Sequence, residues 1–194
     1  RIVENNTASF PLAVHEKLPR VVYLEGAIRP DYKFIRRALS TDPGIEFLGL
    51  VRVREGEFLS QGEIAGLTLD KPPAAKSEFA AFDVLVLGDL SAKEIGAGTV
   101  QLLAEAVSER LGLLVLAAPS TTGASADYAG TPLEPAFPAV ADSKPAAGGP
   151  FRLYLTPAGA SHPLGAGLDV WFGRKDKDPA APLPKLGGLD GVKS

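Results

Sequence analysis

Three apolar runs stand out along the chain: Arg20-Val-Val-Tyr-Leu-Glu-Gly26, Phe82-Asp-Val-Leu-Val-Leu-Gly-Asp89 and Gly112-Leu-Leu-Val-Leu-Ala-Ala-Pro-Ser120. Each ends on a polar or glycine step. Near-continuous Val/Leu runs bounded in this way predict strands buried on both faces, as in a parallel sheet. The strands are expected over 20–25, 83–88 and 113–118. A further strand over 45–53 carries Phe47, Leu48, Leu50 and Val51. Between the first two strands, Pro30 suits the first position of a helix and Asp31 its positive end. Phe34, Ile35, Ala38 and Leu39 are expected on its buried face, with Lys33, Arg36 and Arg37 outward. Thr41-Asp-Pro-Gly44 stops it.

Residues 54–80 carry Gly56, Gly62, Gly66 and Pro72-Pro73 and read as a long excursion with one short strand or helical turn. Ser91-x-x-Glu94 matches a capping box. Gly96 and Gly98 interrupt any long helix there, so the pattern predicts a short turn, then a helix capped by Thr99. Val100, Leu103, Ala104, Val107 and Leu111 line its inner face, and Gly112 stops it. Past Ser120 a Ser/Thr/Gly/Ala loop leads to a short helix capped by Thr131, a Pro/Gly/Ala loop over 141–149, and an alternating strand over 151–156. The tail over 173–194 reads as loop with one further strand. Residues 1–16, where Phe10, Leu12 and Val14 alternate with Pro11, Ala13 and His15, read either as the end of an upstream β domain or as an added edge strand. The α/β domain proper is expected over 17–194.

Composition narrows the function classes. The 194 residues carry 45% hydrophobic side chains, enough for a single-domain core. A net charge of -3, from 20 basic and 23 acidic residues, gives no concentrated basic face for nucleic acid. No run reaches the ~20 apolar residues of a membrane span. The absence of cysteine removes disulfides, thiolate metal sites and thiol nucleophiles. The absence of methionine fits a piece of a longer protein, or a listing without its selenomethionines. Neither dinucleotide nor phosphate-loop glycine patterns occur, and no His/Asp cluster has metal-site spacing, so no cofactor or metal is expected.

In open parallel sheets, chemistry collects at the carboxyl ends of the strands, here Glu25, Asp89 and Ser120. Glu25 and Asp89 suit a cation or a polyol, or pairing with Arg29 or Arg36. Asp89 alternatively satisfies a turn. Ser120 needs a partnered base to be a nucleophile. The chain has only His15 and His162 to offer, and no Gly-x-Ser-x-Gly elbow surrounds the serine. His162 reads as a crevice base or as a turn residue. Tyr128 and Trp171 read as sugar-stacking or as packing aromatics.

Several segments together resemble a bacterial family of glutamine-amidotransferase-like domains. They are Val22-Tyr-Leu-Glu-Gly26, Tyr32-x-Phe34-x-Arg36-Arg37-Ala38-Leu39 with Asp42-Pro43, Asp83-Val-Leu-Val-Leu-Gly-Asp89, Gly112-Leu-Leu-Val-Leu-Ala-Ala-Pro119, Tyr128-Ala-Gly-Thr-Pro-Leu133 and His162-Pro-Leu-x-x-Gly-Leu168. The match spans 20–168. The last motif also resembles one in trehalose-utilisation-type relatives. The resemblance implies a three-layer, flavodoxin-like, class I amidotransferase-like sandwich with a mostly parallel sheet. It also implies a setting in a large membrane-anchored protein of the bacterial cell envelope, beside von Willebrand factor A-type and immunoglobulin-like domains. Class I amidotransferases place a cysteine nucleophile after a central strand. The strand here that fits continues Ala117-Ala-Pro-Ser120, with no thiol. The expected function is therefore a non-catalytic binding or interaction module. Its partners would be other domains of the same protein or envelope proteins, with a small polar ligand at Glu25, Arg29, Asp89, Ser120, Tyr128 and His162. The alternative is a hydrolase or amidotransferase-type enzyme on a small polar, carbohydrate-like substrate.

Overall fold

The computed structural model describes residues 17–121, 127–137, 140–141, 154–168 and 192–193. The expected features over 1–16, the first half of the strand over 151–156, Trp171 and most of the tail lie outside these residues. The three apolar runs and the further strand expected over 45–53 form β1 (Arg20–Glu25), β2 (Glu46–Arg54), β4 (Val84–Leu87) and β5 (Gly112–Val115), all parallel. An antiparallel strand β3 (Glu57–Glu63) completes a five-stranded sheet of order β3-β2-β1-β4-β5. Helices α1 (Pro30–Ser40), α2 (Lys76–Phe79), α3 (Ala92–Ile95) and α4 (Ala97–Glu109) join the strands. A short pair, β6 (Val140–Ala141) and β7 (Val192–Lys193), and helix α5 (Pro157–Ser161) lie later in the chain.

Strand alternation explains why the central runs are apolar throughout. Val22, Leu24, Leu48, Leu50, Leu85 and Leu87 point into one core with Phe79 of α2, Ala92 and Ile95 of α3, and Val100, Leu103 and Ala106 of α4. Val21, Tyr23, Phe47, Val51 and Val86 point the other way, against Tyr32, Ile35 and Leu39 of α1. Helices therefore cover both faces, and each central residue meets a partner layer whichever way it points. The result is an α/β fold on a mixed, mostly parallel sheet. No described helix is long and apolar enough to cross a membrane.

Several local expectations change. The excursion over 54–80 opens with a hairpin through Glu55-Gly56, where Gly56 takes φ +72°. Its second arm is β3, which pairs back along β2. Helix α1 is rotated from its expected phase. Tyr32 is buried, Ile35 and Leu39 are half-buried, and Phe34 and Ala38 are exposed. The cause is Tyr32, whose ring packs 5.1 Å from that of Tyr23 and whose hydroxyl donates to Gln61 Oε1 at 3.0 Å. Thr99 does not cap α4. Gly96, at φ +89°, is the N-cap residue and turns the chain between α3 and α4, leaving Thr99 inside the first turn. The Ser91/Glu94 capping box does form, and starts α3. The helix expected after Thr131 is a single 3₁₀ turn, Glu134–Ala136. Strand β5 is shorter than expected and is not buried on both faces, with Leu114 51% exposed. An apolar run cannot by itself distinguish an inner strand from an outer one.

Candidate functional site

The sheet order reverses at β1: β2 lies on one side of it and β4 on the other. In open α/β sheets such a switch point leaves a crevice outside the carboxyl ends of the two central strands, where ligands bind. Here the crevice lies between Glu25-Gly26 and Gly88-Asp89. The two glycines let the strand ends close on each other. A Cβ on Gly26 would lie 1.7 Å from the carbonyl oxygen of Asp89, and one on Gly88 would lie 2.5 Å from Glu25 Oε2.

Glu25 fills the gap. Its side chain is fully buried and both oxygens are in use. Oε2 accepts from the Tyr23 hydroxyl at 2.7 Å and from Arg29 Nη2 at 2.9 Å. Oε1 accepts from the backbone N–H of Asp89 at 2.8 Å and of Ala27 at 3.2 Å. Tyr23 and Glu25 are two residues apart on one strand and so point to the same face, and Arg29 returns from the loop before α1. Burial, then the hydrogen bond to Glu25, pushes the Tyr23 phenol well above its ordinary pKa. Burial works against the Arg29 charge, but the hydrogen bond and charge of Glu25 outweigh it and raise the pKa of the guanidinium. Arg29 Nε is buried, with no hydrogen-bond partner among the described residues.

Asp89 continues the chain of contacts. Its Oδ1 accepts the Ser120 N–H at 2.8 Å, tying β4 to the loop after β5. Glu25, Arg29, Asp89 and Ser120 thus form one connected set on the carboxyl edge. Tyr128 makes no hydrogen bond to these four residues and sits in the core beside Leu90. It is 2% exposed, donates its hydroxyl to the Leu90 carbonyl at 2.7 Å, and sets its ring 4.8 Å from Phe137. Burial raises its phenol pKa as well. His162 stands apart from this set. Its Nδ1 accepts the Leu164 N–H at 3.1 Å, its side chain is exposed, and it caps the 3₁₀ turn Pro163–Gly165. It makes no hydrogen bond to Glu25, Asp89 or Ser120.

The sequence did not point to the neighbours that brace this edge. Asp127 accepts from the backbone N–H of Ala92 at 2.6 Å and of Lys93 at 3.0 Å, capping α3 from 35 positions downstream of Ala92. Arg52, near the end of β2, pairs with Glu94 of α3 at 2.6 Å. No local pattern announces either contact. Around Glu25 the sequence named Arg29 as a pairing partner, and the Tyr23-x-Glu25 spacing, which puts both side chains on one strand face, could have added Tyr23.

Two cavities lined by described residues lie away from the edge. One of about 380 Å³ sits beside β3, against Leu48, Gly62, Ile64 and Leu69. Another of about 240 Å³ lies between Ala92, Val100, Asp127 and Pro132. Among the described residues, no group of three or more His, Asp or Glu side chains is placed to hold a metal ion. No family model matches the chain, and no curated protein or solved structure matches it either.

Proposed function

We propose that this chain is a non-catalytic binding or interaction module, of flavodoxin-like, class I amidotransferase-like type, within a larger protein of the bacterial cell envelope. The parallel strands follow the order β2-β1-β4-β5, in keeping with the flavodoxin-like order of doubly wound sheets. One observation carries the non-catalytic reading. The switch-point crevice is occupied by the chain's own carboxylate, and both oxygens of Glu25 are committed to internal donors. A base or ligand group there needs a free lone pair, and Glu25 has spent its own on holding two strand ends together. Ser120 has its backbone tied to Asp89, no histidine among the described residues is hydrogen-bonded to it, and the chain has no cysteine.

A second reading, a hydrolase or amidotransferase-type enzyme on a small polar substrate, rests on Asp89. This side chain is half-buried on the carboxyl edge, and among the described residues only its Oδ1 accepts a hydrogen bond. Ammonia release from glutamine separates the two readings. The expected result is no release above buffer. Turnover that disappears in Ser120→Ala or Asp89→Asn overturns the non-catalytic reading.

A further inference from the structure

The face of α1 turned away from the sheet has an unusual composition. Tyr32, Ile35 and Leu39 look inward. Pro30, Phe34 and Ala38, spaced four residues apart, form an apolar stripe along the opposite side, all of them exposed. Phe34 is 67% exposed, and Ile28, two residues before the helix, is 76% exposed. Lys33 and Arg37 run beside that stripe, also four residues apart and exposed, and Arg36 is half-buried at the margin. None of these three cations pairs with a carboxylate among the described residues. The only acid on the helix, Asp31, lies 3.8 Å from Arg29.

An exposed phenylalanine flanked by unpaired lysine and arginine matches an anionic lipid surface. The ring enters the headgroup layer while the cations meet lipid phosphates. A net charge of -3 on the whole chain does not oppose this, because charges beyond about 8–10 Å are screened at physiological salt. Nucleic acid offers the same phosphates but gives Phe34 and Ile28 no apolar layer to enter. We infer that the outer face of α1, centred on Phe34, Lys33 and Arg37, docks the domain onto an anionic membrane surface. The inference goes beyond the proposed module function and does not depend on whether the carboxyl edge is catalytic.

Vesicle co-sedimentation tests it. The protein is expected to pellet with vesicles of equal phosphatidylglycerol and phosphatidylcholine, and far less with phosphatidylcholine alone. Raising salt to about 0.5 M should release it. The double variant Lys33→Gln/Arg37→Gln should bind about thirtyfold more weakly, and Phe34→Ala about tenfold more weakly. Thermal melts of these surface variants should match the parent, showing that folding is intact. Failure to bind anionic vesicles overturns the inference, as does binding that survives these substitutions. Tighter binding to an oligonucleotide, insensitive to Phe34→Ala, overturns it in favour of nucleic acid.

Discussion

Glu25 shows how one side chain can close a site that topology opens. A carboxylate at a strand end in a switch-point position is a natural candidate ligand group, and here it is buried against internal donors instead. Glu25→Ala should lower stability by about 3–5 kcal/mol, since it leaves Arg29 charged and largely buried with only the exposed Asp31, 3.8 Å away, beside it. Urea melts measure this, and a loss below about 1 kcal/mol would mean that the network carries little stability. Gly88→Ala should cost about 1–3 kcal/mol, because its Cβ would press on a carboxylate held from four directions. His162→Ala should cost less, about 0.5–1 kcal/mol, as expected for an exposed cap on a short turn. Glu25, Asp89 and Ser120 were readable as candidates from their places at the ends of apolar runs. Pairing of Glu25 with Arg29 was among the expected contacts, but the Asp89 N–H was not, because it meets Glu25 only once β1 and β4 are paired.

At the scale of elements, the start of α3 gathers three kinds of support. Ser91 and Glu94 exchange hydrogen bonds in a capping box, Asp127 accepts from the next two amides, and Arg52 of β2 pairs with Glu94. A four-residue helix has little intrinsic stability, so its position depends on these contacts. Asp127→Ala should destabilise by about 1–2 kcal/mol. A double-mutant cycle between Arg52 and Glu94 should return a coupling of about 0.5–1 kcal/mol, because both side chains are roughly three-quarters buried but still reach solvent. Zero coupling would make the pair incidental. The capping box was legible because its partners are three residues apart, whereas Asp127 was not. Helix α1 was legible in extent but not in phase, because Phe34 and Tyr32 are both aromatic and only the sheet decided which one to bury.

For the molecule as a whole, stability should fall at alkaline pH. Tyr23, Tyr32 and Tyr128 all have raised pKa values, with burial the largest cause for each. In the unfolded chain a tyrosine ionises near pH 10. Above that pH the unfolded chain releases protons that the folded one keeps, so the unfolded state gains. Below about pH 10 both states are neutral at these positions and the contribution is intact. The unfolding free energy should therefore decline above pH 10, approaching about 1.4 kcal/mol per pH unit for each of Tyr23 and Tyr128, with Tyr32 adding in the same direction. Urea melts between pH 9 and pH 11 measure the slope, and Tyr128→Phe should reduce it. A flat profile would contradict the burial of these phenols.

The sequence by itself determined the strands, their parallel arrangement and the edge on which Glu25, Asp89 and Ser120 would meet. Those features follow from unbroken apolar runs, from their polar ends and from the fixed hand of the crossovers. The tertiary structure decided the rest. It made β3 an antiparallel outer strand, left Leu114 of β5 half in solvent, turned Phe34 outward and placed Asp127 on α3. Above all it filled the β1–β4 crevice. Whether a strand-end carboxylate faces a ligand or its own chain depends on how closely two backbones approach. That distance was set by Gly26 and Gly88 packing against residues more than sixty positions away, which no local pattern records.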